Sequence, residues 1–255
     1  MAILGLQGIR GGVGTTSITA ALGWSLHMLG EAVLLVDACP DNMLSLSYNV
    51  DFTHSAGWAR SLLDGQDWRD AGQRYTSQLD LLPFGQLTAG EAENAPLLHE
   101  VLSGIGPILQ TLKAQSHYQW ILVDLPHGQS PLSRLILEQC DRVLTIVRPD
   151  TNCHVRLHQQ ALPAGAHLLL NDLRIGSQLQ DDLYQVWLQT QRRLLPTVIH
   201  RDEAMAECLA AKQPLGEYRM DSLAAEEIMT LANWCLLHAA TPATDISHPA
   251  GAREQ

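Results

Sequence analysis

The 255-residue sequence lacks the signals of a zinc protein, a disulfide-bonded domain and a membrane-spanning protein. Its five cysteines lie far apart with no Cys-x-x-Cys pair, which disfavours both a zinc site and a disulfide framework. No uninterrupted apolar run reaches the ~18 residues that a membrane span needs. The short apolar run at the N-terminus follows no basic segment and ends in a glycine-rich loop, unlike a signal peptide. We therefore expect a cytoplasmic protein in a reducing compartment.

Positive charge is also scarce. The net charge of −11 and the pI near 5.3 disfavour binding to nucleic acid or anionic lipid through bulk electrostatics. The length and the 46% hydrophobic content suit one sizeable domain, which we predict for residues 1–238. Residues 239–255 are predicted to form a flexible tail. Its one arginine, Arg253, cannot supply the basic amphipathic helix with which proteins bind membranes directly.

Short apolar runs alternate with helical stretches along the chain. This alternation predicts an α/β fold with a mostly parallel sheet covered by helices on both faces. Ligands of such sheets bind at the C-terminal ends of the strands, and Asp37, Asp124, Arg148 and Asn171 each follow one of the runs. We therefore expect these four residues to share one rim of the sheet. The predicted strands are Ile3 to Leu6, Ala32 to Val36, Leu79 to Leu82, Trp120 to Val123, Val143 to Val147, His167 to Leu170, and Thr197 to Ile199.

Two helices can be predicted in more detail. Apolar residues recur at three- and four-residue spacing from Leu179 to Leu194, which predicts an amphipathic helix with Trp187 in the core or at an interface. The last helix is expected to begin after Asp221 or Ser222, either of which can cap it, and to run to about His238.

The most informative segment is the glycine-rich loop from Arg10 to Thr16, directly after the first predicted strand. A glycine turn between a strand and a helix points backbone N–H groups inward, and the helix N-terminus adds about half a positive charge, so the loop suits a polyphosphate. The usual phosphate-binding lysine is replaced by Thr15. The next residue, Thr16, keeps the hydroxyl that ligates magnesium, and Arg10 is the loop's only cation.

Two other interpretations of this loop remain open from the residues alone. The glycines could simply form a tight strand-to-helix turn. The run from Gly12 to Ser17 also nearly reads as the Gly-x-Gly-x-x-Gly of a nicotinamide or flavin protein, with Asp37 at the end of the next strand. Ser17 at the place of the third glycine, and the additional Arg10-Gly11, argue against the dinucleotide interpretation.

Five segments together resemble the ParA/MinD-type deviant Walker A ATPases. They are RGGVGTTS at 10–17, LLVDACPD at 34–41, WILVDLP at 120–126, LLLND at 168–172, and the stretch 199–228, so the resemblance covers nearly the whole chain. It implies a P-loop NTPase fold that binds ATP and Mg²⁺ and forms a homodimer with ATP at the interface. The runs at 5–16 and 57–87 are particularly similar to members that serve bacterial cellulose secretion.

The resemblance also implies roles for particular residues. Arg10 stands where the family has a signature lysine that reaches the partner's phosphates, and Asn171 where an asparagine bonds the adenine edge. Asn152 and Arg156 lie in the loop from which relatives reach across the dimer. Metal binding is implied for Thr16, Asp37 and Asp124. The full set implied to bind nucleotide is Arg10, Gly11, Gly12, Val13, Gly14, Thr15, Thr16, Ser17, Asn152, Arg156 and Asn171.

One family residue is missing. The second aspartate of the family's Val-Asp-x-Asp-Pro motif orients the attacking water, and here that position is Cys39. A neutral thiol is a weak acceptor, and loss of a positioned base typically lowers the rate by about 10²- to 10⁴-fold. We therefore assign no catalytic residue. Asp41 is the one candidate that could compensate, although it could instead begin the following loop. Asn171 could likewise serve as a turn or helix cap with Asp172.

Two functional hypotheses follow from the resemblance. In the first, the protein is a regulatory and assembly subunit of a cellulose secretion system that dimerises on ATP and hydrolyses it weakly or not at all. In the second, it is a cycling ATPase switch that positions the machinery at the cell pole. Both imply partners among the system's other proteins, including a small companion protein, and contact with the inner membrane only through those partners.

Overall fold

The computed structural model describes residues 1–128 and 131–239, and of Pro131 and Leu132 the backbone alone. Its described strands form one eight-stranded sheet in the order β3-β4-β2-β5-β1-β6-β7-β8. Neighbouring strands are parallel except for the pair β3 and β4. The strands are β1 Ala2–Gly8, β2 Val33–Asp37, β3 Gln73–Arg74, β4 Leu79–Leu82, β5 Trp120–Leu125, β6 Arg142–Val147, β7 His167–Leu173 and β8 Leu194–His200.

Helices connect the parallel strands. The α-helices are α1 Thr15–Met28, α2 Trp58–Leu63, α3 Ala89–Glu93, α4 Ala95–Ser103, α5 Ile105–Gln115, α6 Pro131–Leu137, α7 Thr151–Gln159, α8 Gln178–Thr190, α9 Ala204–Ala210, α10 Leu215–Tyr218 and α11 Leu223–His238. Two short 3-10 helices span Leu44–Tyr48 and Trp68–Ala71. No helix within these described residues is long and apolar enough to cross a membrane.

Helices cover both faces of the sheet, which explains why its central strands are almost continuously apolar. All residues of β1, β2 and β5 are buried. Because successive side chains of a strand point to opposite faces, Leu4 joins a core cluster with α1 and α11, whereas its neighbour Ile3 joins the cluster that contains α5. The predicted fold class is therefore confirmed.

All seven predicted strands are present, with bounds that differ by a few residues. The short β3 was not predicted, because two residues are too few to show a periodicity. The helix predicted to reach Leu194 ends at Thr190, and Leu194 begins β8, so that boundary was wrong. The apolar Leu194–Leu195 pair extended the helical spacing by coincidence.

The predicted burial along α8 is confirmed only in part. Trp187 is fully buried and donates a hydrogen bond from Nε1 to His154, but Leu179 and Val186 of the same helix are exposed. The start of the last helix is confirmed, because the Ser222 side chain accepts a hydrogen bond from the N–H of Ala225. The predicted tail lies outside the described residues, apart from a buried Ala239.

Candidate functional site

The glycine loop between β1 and α1 has the backbone of an anion-binding nest. Gly12 and Gly14 have φ of 74° and 90°, the left-handed region that glycine adopts without strain. Gly14 caps α1 without any side-chain hydrogen bond, and the first turn carries no acidic residue. The amide groups of that turn are therefore left for a ligand, and the helix dipole favours an anion there.

Two cavities meet at this loop. One, of about 330 Å³, is lined by the loop from Arg10 to Ser17 together with Cys39 and Asp41. The other, of about 310 Å³, is lined by the loop's opposite side together with Asn171 and His200. We call them the phosphate cavity and the base cavity, because a nucleotide whose phosphates occupy the nest would extend from one into the other. A larger cavity of about 420 Å³ beside Trp68 and Tyr118 has no such loop in its wall.

Two buried carboxylates lie beneath the phosphate cavity. Asp37 and Asp124 are paired in register on β2 and β5, and Asp124 accepts a hydrogen bond of 2.7 Å from the Thr16 hydroxyl. Asp37 accepts hydrogen bonds from the N–H groups of Cys39 and Leu44, at 2.9 and 3.0 Å. Burial raises the pKa of Asp37 to about 7, and burial with Asp37 nearby raises the pKa of Asp124.

The donor set fits a hard divalent cation. Two buried carboxylates directly paired on neighbouring strands, with a threonine hydroxyl beside one of them, are oxygen ligands of the kind that Mg²⁺ takes. A cation there would offset the cost of burying both charges. Within the described ranges, no group of three or more His, Cys, Asp or Glu side chains is placed to hold a metal. Magnesium would therefore complete its shell with water and phosphate oxygens, as it commonly does.

Cys39 lies in the wall of the phosphate cavity, where the structure gives it no base character. Burial, followed by the nearby charges of Asp37, Asp41 and Asp124, raises the pKa of its thiol to about 12. The thiol is therefore protonated at neutral pH and accepts a proton poorly. Asp41 is exposed and lines the same cavity, so a carboxylate is present two residues away.

Arg10, the loop's only cation, is held by Asp150, a residue that was not predicted to belong to the site. Its Nη2 lies 2.5 Å from the carboxylate of Asp150, and its Nη1 donates to the Gly11 carbonyl at 2.7 Å. Its Nε is buried with no hydrogen-bond partner among the described residues. Asp150 also caps α7 by accepting from the Cys153 N–H at 2.8 Å. No local sequence pattern indicates a partner 140 residues away, so Asp150 was not predicted.

Asn171 is buried in the base cavity, where its Nδ2 donates to the Val13 carbonyl at 2.8 Å. It therefore supports the glycine loop and also lines this cavity, and its predicted contact with adenine stays a prediction. Arg148, Asp172 and Arg201 form an ion-pair group at the same cavity, and Arg148 Nη1 is 3.4 Å from the Gly12 carbonyl. Arg148 was expected on this rim, Asp172 was considered only as a turn or cap partner of Asn171, and Arg201 was not predicted.

Asn152 and Arg156 are not brought to either cavity. They lie on α7, where Arg156 Nε donates to Asn152 Oδ1 at 2.8 Å. Any contact that they make with nucleotide would therefore have to involve a ligand outside these two cavities. Their predicted role stays a prediction.

A parallel sheet with a glycine loop after its first strand and two carboxylates at neighbouring strand ends defines the P-loop fold of ParA/MinD-type ATPases. The solved structure of the septum site-determining protein MinD complexed with Mg-ADP, from Pyrococcus horikoshii, superimposes with a TM-score of 0.75 and 21% identity. The match covers 95% of this chain and 99% of that one. At this identity the likeness establishes the fold.

The sequence identifies the family more narrowly. The profile of the family described as cellulose biosynthesis protein BcsQ matches residues 1–236. BcsQ of Salmonella typhimurium is 74% identical and that of Escherichia coli K12 is 71% identical, each over 238 residues. Each match covers 93% of this chain and 95% of the relative. The chain belongs to the BcsQ family of cellulose biosynthesis proteins, as the resemblance predicted.

Proposed function

We propose that this protein is an ATP-binding regulatory and assembly subunit of a bacterial cellulose secretion system, which dimerises on Mg-ATP and hydrolyses it weakly or not at all. One observation carries the proposal. The glycine loop, the paired carboxylates and the base cavity are present, whereas the residue at the water-orienting position is Cys39 with a thiol pKa raised to about 12. Such a site has the groups to bind ATP but lacks the carboxylate that would orient water for its hydrolysis.

Each part of the site has a task in this proposal. The amides of the loop and of the first turn of α1 bind the phosphates. Thr16 and Asp124 would hold magnesium directly or through water, and Asp37 would hold waters around it. Bound magnesium would neutralise phosphate charge that the missing lysine leaves uncompensated. Asn171 faces the base.

The dimer part of the proposal rests on Arg10, Asn152 and Arg156. Arg10 is tied to Asp150 at the mouth of the phosphate cavity, and its released guanidinium could grip a partner's phosphates with two donors. Asn152 and Arg156 line neither cavity of their own chain, so in a dimer they would be available to a nucleotide bound by the partner. A shared nucleotide would give all three a ligand.

Molar mass measured by light scattering during size-exclusion chromatography tests this proposal. The purified protein should elute at the mass of one 28.0 kDa chain in EDTA, and at twice that mass in saturating Mg-ATP. Thr16→Val should remain monomeric in Mg-ATP, because it loses the hydroxyl at the metal. A native protein that stays monomeric in saturating Mg-ATP would contradict nucleotide-dependent dimerisation.

The second candidate is a cycling ATPase that positions the secretion machinery at the pole. It is favoured by Asp41, whose carboxylate lines the phosphate cavity two residues from Cys39 and could orient a water. Steady release of phosphate by the native protein, lost in Asp41→Asn, would support it over the first candidate.

Partners and location follow from charge and family. With a net charge of −11, we propose that the protein binds no nucleic acid and reaches the inner membrane only through proteins, among them the small companion BcsR and other subunits of the system. Sedimentation with anionic liposomes should leave the isolated protein in the supernatant. Tight co-sedimentation in the absence of any partner would overturn this part.

A further inference from the structure

His200 occupies a position in the base cavity that the site described so far does not use. It is the last residue of β8, and it lines the cavity with Asn171 and the glycine loop. Its side chain is 28% exposed. Glu227 on α11 holds it at two points: one carboxylate oxygen lies 2.5 Å from the imidazole Nδ1, and the other accepts from the His200 backbone N–H at 2.7 Å.

This clamp determines which hydrogen-bonding groups the imidazole can offer. An ionised carboxylate only accepts hydrogen bonds, so Nδ1 must carry the proton that it donates to Glu227. In the neutral ring the other nitrogen, Nε2, is then an acceptor, as for a histidine whose tautomer is fixed by a carboxylate. No hydrogen bond from the described residues occupies Nε2. When the ring is neutral, Nε2 is therefore an acceptor without a hydrogen-bond partner among the described residues, on a side chain that lines the base cavity.

An acceptor at this place discriminates between the two purines. Adenine carries an exocyclic N6 amine, which donates hydrogen bonds, where guanine carries the O6 oxygen, which accepts them. The base cavity shares Gly12, Gly14 and Ser17 with the phosphate cavity, so the base of a nucleotide whose phosphates lie on the loop falls on the His200 side. An Nε2 lone pair would bond the adenine amine and repel the guanine oxygen.

We propose that His200, with its tautomer set by Glu227, is a specificity-determining contact that selects adenine over guanine nucleotides. The inference rests on the proposed nucleotide binding and adds the reason for base choice. His200 would touch the base, and Glu227 would act through it as a positioning residue. A favourable or unfavourable polar contact to a base edge changes affinity by about 10- to 100-fold.

Isothermal titration of the full-length protein with Mg-ATP and with Mg-GTP measures the ratio of the two dissociation constants. The native protein should bind ATP at least about tenfold more tightly than GTP. His200→Ala should bring the ratio close to one while the protein still binds both nucleotides through their phosphates. Glu227→Gln should lower the preference for ATP although His200 is still present. A glutamine amide can accept or donate a hydrogen bond, so it no longer fixes the tautomer of the imidazole. His99→Ala, at an exposed histidine of α4 remote from both cavities, is the matched control and should keep the native ratio.

Imidazole ¹⁵N chemical shifts report directly which nitrogen of His200 carries the proton, so they separate an effect on the tautomer from a loss of structure. They should assign the proton of His200 to Nδ1 in the native protein, and Glu227→Gln should shift population toward the Nε2–H form. An unchanged ATP-to-GTP ratio in a folded His200→Ala protein, or a native preference for GTP, would overturn the inference and leave the proposed function standing. A native protein that binds neither nucleotide would overturn both.

Discussion

Replacing Asp150 by asparagine should free the one cation of the glycine loop and tighten the binding of Mg-ATP. In the structure Arg10 bonds Asp150 at 2.5 Å, while its Nε has no partner among the described residues. Burial alone would raise the pKa of Asp150, but hydrogen bonds from the Cys153 N–H and from the Arg10 guanidinium lower it overall. Before Arg10 can meet a phosphate, this interaction must break.

The size of the effect follows from the exposure of the pair. The Arg10 and Asp150 side chains are 23% and 33% exposed, so the pair is worth more than a surface salt bridge and less than a buried one. We take about 1 kcal/mol, at the top of the range for exposed pairs and below that for buried charged hydrogen bonds. Removing that competition should tighten Mg-ATP binding by about fivefold. Asparagine keeps an oxygen for the cap on Cys153, so α7 should remain intact.

Equilibrium titration with Mg-ATP at low ionic strength measures this gain. Asp67→Asn is the matched control, because Asp67 also caps a helix and pairs with an arginine, Arg69, but lies away from both cavities. It changes the net charge equally and should leave the affinity unchanged. Weaker binding in Asp150→Asn would refute the reasoning, since it would mean that Asp150 directs Arg10 toward the phosphate instead of withholding it.

Three further predictions concern the metal and the loop. Burial raises the pKa of Asp37 from 3.8 to about 7, so the nucleotide-free protein should lose stability as pH rises from about 4 to about 7. In thermal melts Asp37→Asn should reduce that loss. An unchanged pH profile in the variant would contradict the raised pKa of Asp37. Thr16→Val should lower the affinity for ATP by about tenfold or more in magnesium and leave the affinity in EDTA unchanged. An equal loss of affinity in EDTA would indicate a folding defect. Gly14→Ala should weaken ATP binding and lower the melting temperature, because its Cβ would lie 2.5 Å from Asn171 Nδ2; Gly30→Ala, with the same φ of 90° and nothing within 4 Å, should affect stability alone.

The fold was predictable because its signals are local and repeated. Parallel strands buried on both faces appear as short apolar runs, and the glycine loop marks the end of β1 and the start of α1. The end of α8 was not predictable, because the spacing of apolar residues continued through a three-residue connection into β8. The spacing of apolar residues shows which face of a segment can be buried, but it does not show where the helix ends.

The site was predictable where a residue acts near its own motif, and it was not where two distant segments meet. Asp37 and Asp124 follow apolar runs, and the structure pairs them on adjacent strands. The clamp of Asp150 on Arg10 and that of Glu227 on His200 join residues that are far apart in the chain, so no spacing reveals them. The high pKa of Cys39 is a consequence of burial, which the sequence does not express.

Phosphate release measured beside molar mass, for the native protein and for Cys39→Asp in Mg-ATP, distinguishes a site that only binds nucleotide from one that hydrolyses it. We expect the native protein to form the dimer and release negligible phosphate, and Cys39→Asp to restore a water-orienting carboxylate and with it measurable release. Steady phosphate release by the native protein, with no increase in Cys39→Asp, would contradict the proposal that the site binds ATP and hydrolyses it weakly or not at all.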